Sequence, residues 1–126
     1  MNKVEIRGIE ASDCQELFDL YQEEGWLSFT QEKIQALIHH SEWLIAVEAG
    51  EILGFARYLT DHVITLYLCE ILVCKKARKQ GIGKLLIEEL RKNYSGLRID
   101  LISEEDPFYQ NLHFSDKGTG YRMSLR

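Results

Sequence analysis

With 126 residues, 45% of them hydrophobic and 28% charged, the chain reads as one globular domain, residues 1–126, able to bury about two-thirds of its unfolded surface. The net charge of −5 argues against a nucleic-acid partner, and neither a membrane-spanning apolar run nor a signal-peptide core at Met1–Arg7 is present. Three cysteines at no metal-ligand spacing read as reduced thiols, so a cytoplasmic protein without a metal or a membrane contact is expected.

Lys3 to Ile9 sets Val4 and Ile6 against Lys3, Glu5 and Arg7, the alternation of a half-buried strand. Ser12 followed by Gln15 is a capping-box pattern for a helix with Cys14, Leu17, Phe18 and Tyr21 on one stripe, ending near Gly25. A second helix is expected from about Thr30, with Ile34, Leu37 and Ile38 inward. The link between them is unusually aromatic, and Trp26 and Phe29 either cover the core or wall a binding pocket. Trp43–Val47 and Ile52–Leu59 read as strands joined at Ala49-Gly50-Glu51. Beyond Asp61-His62 lies a long apolar run, Ile64–Cys74, whose one charge is Glu70. It suits a central strand buried on both faces, with Cys69 and Cys74 as packing residues.

Next comes a basic glycine turn and then a helix whose apolar stripe is Ile82, Leu85, Leu86 and Leu90, with Glu88 and Lys92 four apart on its wet side. Asn93–Gly96 stops that helix, and Leu97–Ile102 reads as a fifth strand. Asp106 as N-cap and Pro107 at the first helical position predict a short helix carrying Phe108 and Tyr109. Phe114 onward and Tyr121–Leu125 are expected to pair as the last two strands about Lys117–Gly120. The order predicts an α/β fold: a mixed, mostly antiparallel sheet of about seven strands flanked by helices, with one right-handed crossover.

The glycine turn is where chemistry enters. Two glycines let backbone approach a ligand, and the free N–H groups of a helix's first turn form an anion site. Gly81-Ile82-Gly83-Lys84 lacks the spacer and the Ser/Thr of a Walker loop, and Leu86 stands where a dinucleotide fingerprint needs its third glycine. Arg78-Lys79-Gln80-Gly81-Ile82-Gly83 instead reads Arg-x-x-Gly-x-Gly. It resembles the pyrophosphate loop of the GCN5-related N-acetyltransferase family, set as there between a central strand and a helix. Phe108-Tyr109-Gln110-Asn111-Leu112-His113-Phe114 is similar to that family's Phe-Tyr-x-x-x-Gly-Phe segment, with His113 at the usual glycine. The element order matches over essentially the whole chain.

The resemblance implies acetyl-CoA as acetyl donor and direct transfer to a primary amine of a small molecule or protein. It implies backbone N–H groups from Lys79 through Gln80, Gly81, Ile82 and Gly83 to Lys84 on the pyrophosphate, with charge added by Arg78 and Lys79. It also implies a splayed central strand whose backbone at Ile71, Leu72 and Val73 faces the pantetheine and the acetyl carbonyl. Tyr109 takes the place of the acid that protonates the leaving thiolate, and the segment holding Trp26 and Phe29 flanks the acceptor. Glu70, as the only acid in the central strand, is the candidate base, with Tyr67 and Cys69 expected on the opposite face. Glu23, Glu24, Glu104 and Glu105 near the acceptor side suggest a cationic amine. Small members of the family are often homodimers. A non-catalytic acyl-CoA-binding sensor or regulatory module is the alternative, and a nucleotide-binding domain is disfavoured by the missing phosphate motifs.

Overall fold

The segments with a two-residue period pair into one mixed sheet in a computed structural model that describes residues 3–124. Its strands are β1 (Glu5–Arg7), β2 (Glu42–Glu48), β3 (Glu51–Thr60), β4 (Thr65–Val73) and β5 (Arg98–Asp100), lying side by side in chain order. All neighbours are antiparallel except β4 and β5, which run parallel across a helical crossover. The helices are α1 (Cys14–Glu24), α2 (Gln31–His40), α3 (Ile82–Asn93) and α4 (Asp106–Asn111).

Local chemistry sets most of the boundaries. The β2–β3 hairpin turns on Ala49 and Gly50, both at positive φ, as a tight turn between right-twisted strands requires. At the next turn the Asp61 carboxylate accepts from the N–H groups of Val63, Ile64 and Thr65, and these bonds hold its pKa down to about 2. Thr30 caps α2 by accepting from the Lys33 N–H. The capping box expected at Ser12 is not made, and Asp13, which stands at the N-cap of α1, gives that helix no side-chain hydrogen bond. Asp13, not Ser12, accepts from the Glu10 N–H at 2.9 Å and takes two hydrogen bonds from Arg7, and a short 3-10 turn leads into the helix at Cys14.

The core lies on both faces of the sheet. Leu17, Tyr21 and Ile34 pack beneath α1 and α2, and Ile82, Leu86, Ile87 and Leu90 beneath α3. Leu85 was expected in the α3 stripe but is 41% exposed, its place being taken by Ile87. Glu88 pairs with Lys84 at 3.8 Å rather than with the expected Lys92.

The sheet has five strands among the described residues rather than about seven. Residues 115–124 carry no strand pairing, and Leu125 lies outside the described residues. Asp116 takes the Gly118 N–H with its side chain, while Tyr121 and Met123 are 91% and 86% exposed. A stretch rich in glycine and short polar residues offers its backbone local partners, and its alternating pattern names no edge to pair with. β5 is likewise shorter than the expected Leu97–Ile102, because it pairs with β4 only from Thr65 to Tyr67.

Candidate active site

Among the described residues, β4 continues from Leu68 to Val73 with β3 as its only strand neighbour, so a gap opens between β4 and the chain that follows β5. Ile71, Leu72 and Val73 lie on this open stretch. The register explains part of the divergence. Arg57 faces Glu70 and Tyr58 faces Leu68, so Cys69 is an extra residue, a β-bulge that bends the strand. The bulge also breaks the simple alternation. Tyr67 pairs with Leu59, two residues from Arg57, and so shares a face with Glu70 instead of opposing it.

At the end of β4 a 3-10 turn, Lys75–Ala77, leads into the glycine turn and α3. None of the backbone N–H groups from Lys79 to Lys84 donates to another described residue, and Lys79, Gln80, Gly81 and Lys84 are exposed. Gly81 caps α3 at φ 83°, a conformation that costs an L-residue about 1–2 kcal/mol. Gly83 is needed for a different reason: a Cβ there would lie 2.9 Å from Cζ of Phe108. The Phe108 ring therefore rests on the first turn of α3, and the two sequence motifs meet in space. An open row of N–H groups at the positive end of a twelve-residue helix fits a pyrophosphate.

Of the basic side chains, three are engaged by carboxylates: Arg78 by Glu24, Lys76 by Glu51 and Lys84 by Glu88. Arg78 Nε also donates to the Val73 carbonyl at 3.0 Å. Its charge is thus turned toward protein rather than toward a ligand. The acidic pair expected to attract a cationic acceptor is spent in the same way, since Glu23 Oε1 accepts from the Lys75 N–H and Glu24 holds Arg78.

Tyr109 is half-buried, with ring centroids 5.0 Å from Phe108 and 5.6 Å from Phe114, both edge-on. Burial, then the nearby charges of Glu105 and Glu104, raise its pKa above the usual phenol value. The ring packs against the core as a partly buried residue. The turn after it ends α4 in a Schellman motif: the Phe114 N–H reaches the Tyr109 carbonyl, and the His113 N–H reaches that of Gln110. That motif needs a left-handed residue between them, and His113 takes φ 71°. The family's glycine is thereby explained, and so is the strain this chain accepts. His113→Gly is expected to raise stability by up to about 1 kcal/mol, read as a higher urea midpoint at unchanged slope.

Glu70 is held from two sides. Its Oε1 accepts from Tyr21 Oη at 2.8 Å and Arg57 Nε at 2.6 Å, and its Oε2 accepts from Arg57 Nη2 at 2.6 Å. The Arg57 and Glu70 side chains are 12% and 13% exposed. Burial pushes the Tyr21 phenol well above its usual range, and the Glu70 charge adds to the effect. Arg57 also reaches Ser41 Oγ, so the network joins β3, β4, α1 and the end of α2. Arg57→Leu would leave Glu70 without a counter-charge and is expected to cost about 3–5 kcal/mol in urea denaturation, whereas joint replacement of Arg57 and Glu70 by apolar residues should cost less. Trp26 and Phe29 join this cluster through Tyr21: Phe29 stacks on it at 4.1 Å, and Trp26 lies 6.1 Å away at 45°. Both are partly buried against the core while keeping exposed surface. A shallow depression of about 340 Å³ borders Phe29, lined also by Ser28, Lys33, Ala36 and Leu37.

Arg57 and Tyr21 were not singled out as site residues from sequence, and Glu24 was named only for its charge near the acceptor side. Arg57 is the one charge in the apolar segment Ile52–Leu59, as Glu70 is in the next strand, and that pair of isolated opposite charges is the signal that could have joined them.

Comparison with known proteins bears on the family and the fold. The model of the acetyltransferase (GNAT) domain matches residues 39–116, which span β2 to the turn after α4. Among individual proteins, the chain is 29% identical over 77 residues to GCN5-related N-acetyltransferase 2, chloroplastic, of Arabidopsis thaliana. That match covers 57% of this chain, and the chain spans only 30% of the plant protein's length. A GNAT family acetyltransferase from Streptococcus pneumoniae TIGR4 shares the fold with a TM-score of 0.82 at 23% identity, over 100% of this chain and 99% of that one. The aminoglycoside N-acetyltransferase AAC(6')-Iy, solved in complex with CoA, gives a TM-score of 0.75 at 19% identity, over 99% and 97% of the two chains. With both motifs in contact on the expected elements and the domain model matching across them, this chain belongs to the GNAT acetyltransferase family.

Proposed function

We propose that the chain moves an acetyl group from acetyl-CoA to a primary amine by direct transfer. The observation that carries this reading is the row of unpaired N–H groups, Lys79 to Lys84, abutting the Phe108–Tyr109 helix. Acetyl-CoA, when bound, supplies an activated thioester carbonyl. The N–H row and the α3 dipole would hold its pyrophosphate. Backbone on the open stretch Ile71–Val73 would take the pantetheine and polarise the carbonyl, a contribution of about 3–4 kcal/mol in other acyl-transfer sites. The amine nitrogen forms a bond to the carbonyl carbon as the carbon–sulfur bond breaks, and Tyr109 gives its phenolic proton to the departing sulfur.

For the amine's own proton, Glu70 was the expected acceptor. That carboxylate already accepts three hydrogen bonds from Arg57 and Tyr21, so both of its oxygens are engaged by the protein and neither is left facing an amine. We therefore assign it to hold the β4 bulge beside the gap, with water taking the proton. Glu70→Gln should then leave the acidic limb of the pH–rate profile in place, and loss of that limb would restore Glu70 as base. Trp26 and Phe29 wall the acceptor side, and Glu104 and Glu105 are the acidic residues left to favour a cationic amine.

Calorimetric titration with acetyl-CoA tests the reading. Micromolar binding is expected, and no binding by folded protein would end it. The non-catalytic sensor is separated by an amine panel: turnover of any amine that vanishes with Tyr109→Phe excludes it.

A further inference from the structure

The last two residues of α1 grip both ends of the turn that leads to the pyrophosphate loop. Glu23 Oε1 accepts from the Lys75 N–H at 2.8 Å, and Glu24 Oε2 accepts from Arg78 Nη2 across 54 residues of chain. The same guanidinium donates through Nε to the Val73 carbonyl at 3.0 Å, so Arg78 pins α1 to the end of β4. The neighbours on either side give this pin its position. Immediately after Glu24 come Gly25, in the left-handed conformation at φ 84°, and Trp26, whose N–H returns to the Tyr21 carbonyl. Immediately after Arg78 comes Lys79, at φ 64° and first in the row of unpaired N–H groups. Gly25 alone separates the pin from the aromatic wall on one side, and on the other the anion cradle begins at the next residue, Lys79.

Exposed ion pairs usually contribute little to stability, and the Glu24 and Arg78 side chains are 27% and 41% exposed. A pair that joins three segments has a different use, because order imposed on one segment passes to the others. We propose that Glu24 is a positioning residue: through Arg78 it couples the pyrophosphate loop to the acceptor wall at Gly25–Phe29, so that acetyl-CoA binding orders that wall before an amine arrives. The inference rests on the functional reading above. An anion seated on the N–H groups from Lys79 onward restricts the Lys79 backbone, hence Arg78, hence the end of α1. By linkage, a wall already ordered binds acetyl-CoA more tightly.

The test needs no known acceptor. Hydrogen exchange of the amides from Gly25 to Phe29 is followed with and without saturating acetyl-CoA, beside calorimetric affinities of the same proteins. In the wild type, exchange there should slow by about fivefold or more on binding. Glu24→Gln should bind acetyl-CoA with little change yet lose most of that slowing, and Glu24→Gln combined with Arg78→Gln should lose no more than either alone. A merely structural role would raise exchange equally with and without ligand. Glu24→Gln that keeps the full ligand-induced slowing overturns the inference. So does Glu24→Gln that binds acetyl-CoA more than about tenfold weaker, since the pair would then belong to the cofactor site itself. A wild type that fails to bind acetyl-CoA would instead overturn the functional reading, and this inference with it.

Discussion

Gly81→Glu is expected to weaken acetyl-CoA binding at least 100-fold while leaving a folded protein. The two effects separate because of where Gly81 sits. A Cβ added there meets no atom within 4 Å, so the glutamate points into open space and disturbs no packing. The left-handed backbone at φ 83° costs about 1–2 kcal/mol of stability, within what a domain of this size tolerates. A negative charge at a helix N-terminus is itself favourable, so the helix does not object. A phosphate on the same N–H groups does, and a 100-fold loss corresponds to about 2.7 kcal/mol of repulsion and blocked access. Gly81→Ala carries the same strain without the charge. It should lose similar stability in urea and keep binding within about tenfold in calorimetry. Equal binding by wild type and Gly81→Glu would mean that the glycine turn closes a strand–helix connection and holds no phosphate.

Tyr109→Phe should lower kcat by about 100-fold or more with any amine that the protein acetylates, leaving the affinity for acetyl-CoA unchanged. The substitution removes one oxygen and keeps the ring edge-on to Phe108 and Phe114, so α4 and its contact with Gly83 survive. The pH dependence gives a second signature. Burial and the charges of Glu105 and Glu104 raise the phenol's pKa, so the acid stays protonated beyond the usual tyrosine range and wild-type activity falls only as pH rises through that raised value. The Phe variant lacks the group that titrates, so its lower rate should show no such fall. A kcat within a few-fold of wild type would reduce Tyr109 to a packing residue of the Gly83–Phe108 contact.

Much of the architecture was legible because it is locally encoded. Periodicity placed β2, β3, β4 and the three longer helices, Thr30 announced its cap, and Pro107 the short helix. The two motifs were legible for the same reason: a glycine at positive φ and a strand–turn–helix order are properties of neighbouring residues. The conformational demand at His113 could be suspected only because the residue stands where the family keeps glycine, and its φ of 71° supplies the cause. What failed were statements about which distant residue is a partner. Nothing in the apolar run marks Cys69 as a bulge, so Tyr67 was set on the wrong face from Glu70. Arg78 looked like a ligand cation because Glu24, 54 residues away, cannot be matched to it by spacing. The alternation at Tyr121–Leu125 showed what a strand would bury but not what it would pair with.

The class of the protein follows from the order of its residues: an α/β chain with a pyrophosphate-type turn between a buried strand and an amphipathic helix, and an aromatic segment after the next strand. These follow from short-range steric and hydrogen-bonding preferences. How charge is used emerges with the folded chain. Folding makes Glu70 the partner of Arg57 and Tyr21, and Arg78, expected to add charge to the loop, a bridge between α1 and β4. It also left the backbone N–H groups from Lys79 to Lys84 as the available anion donors. Coulomb and hydrogen-bond energies depend on through-space distance and burial, which the fold alone sets.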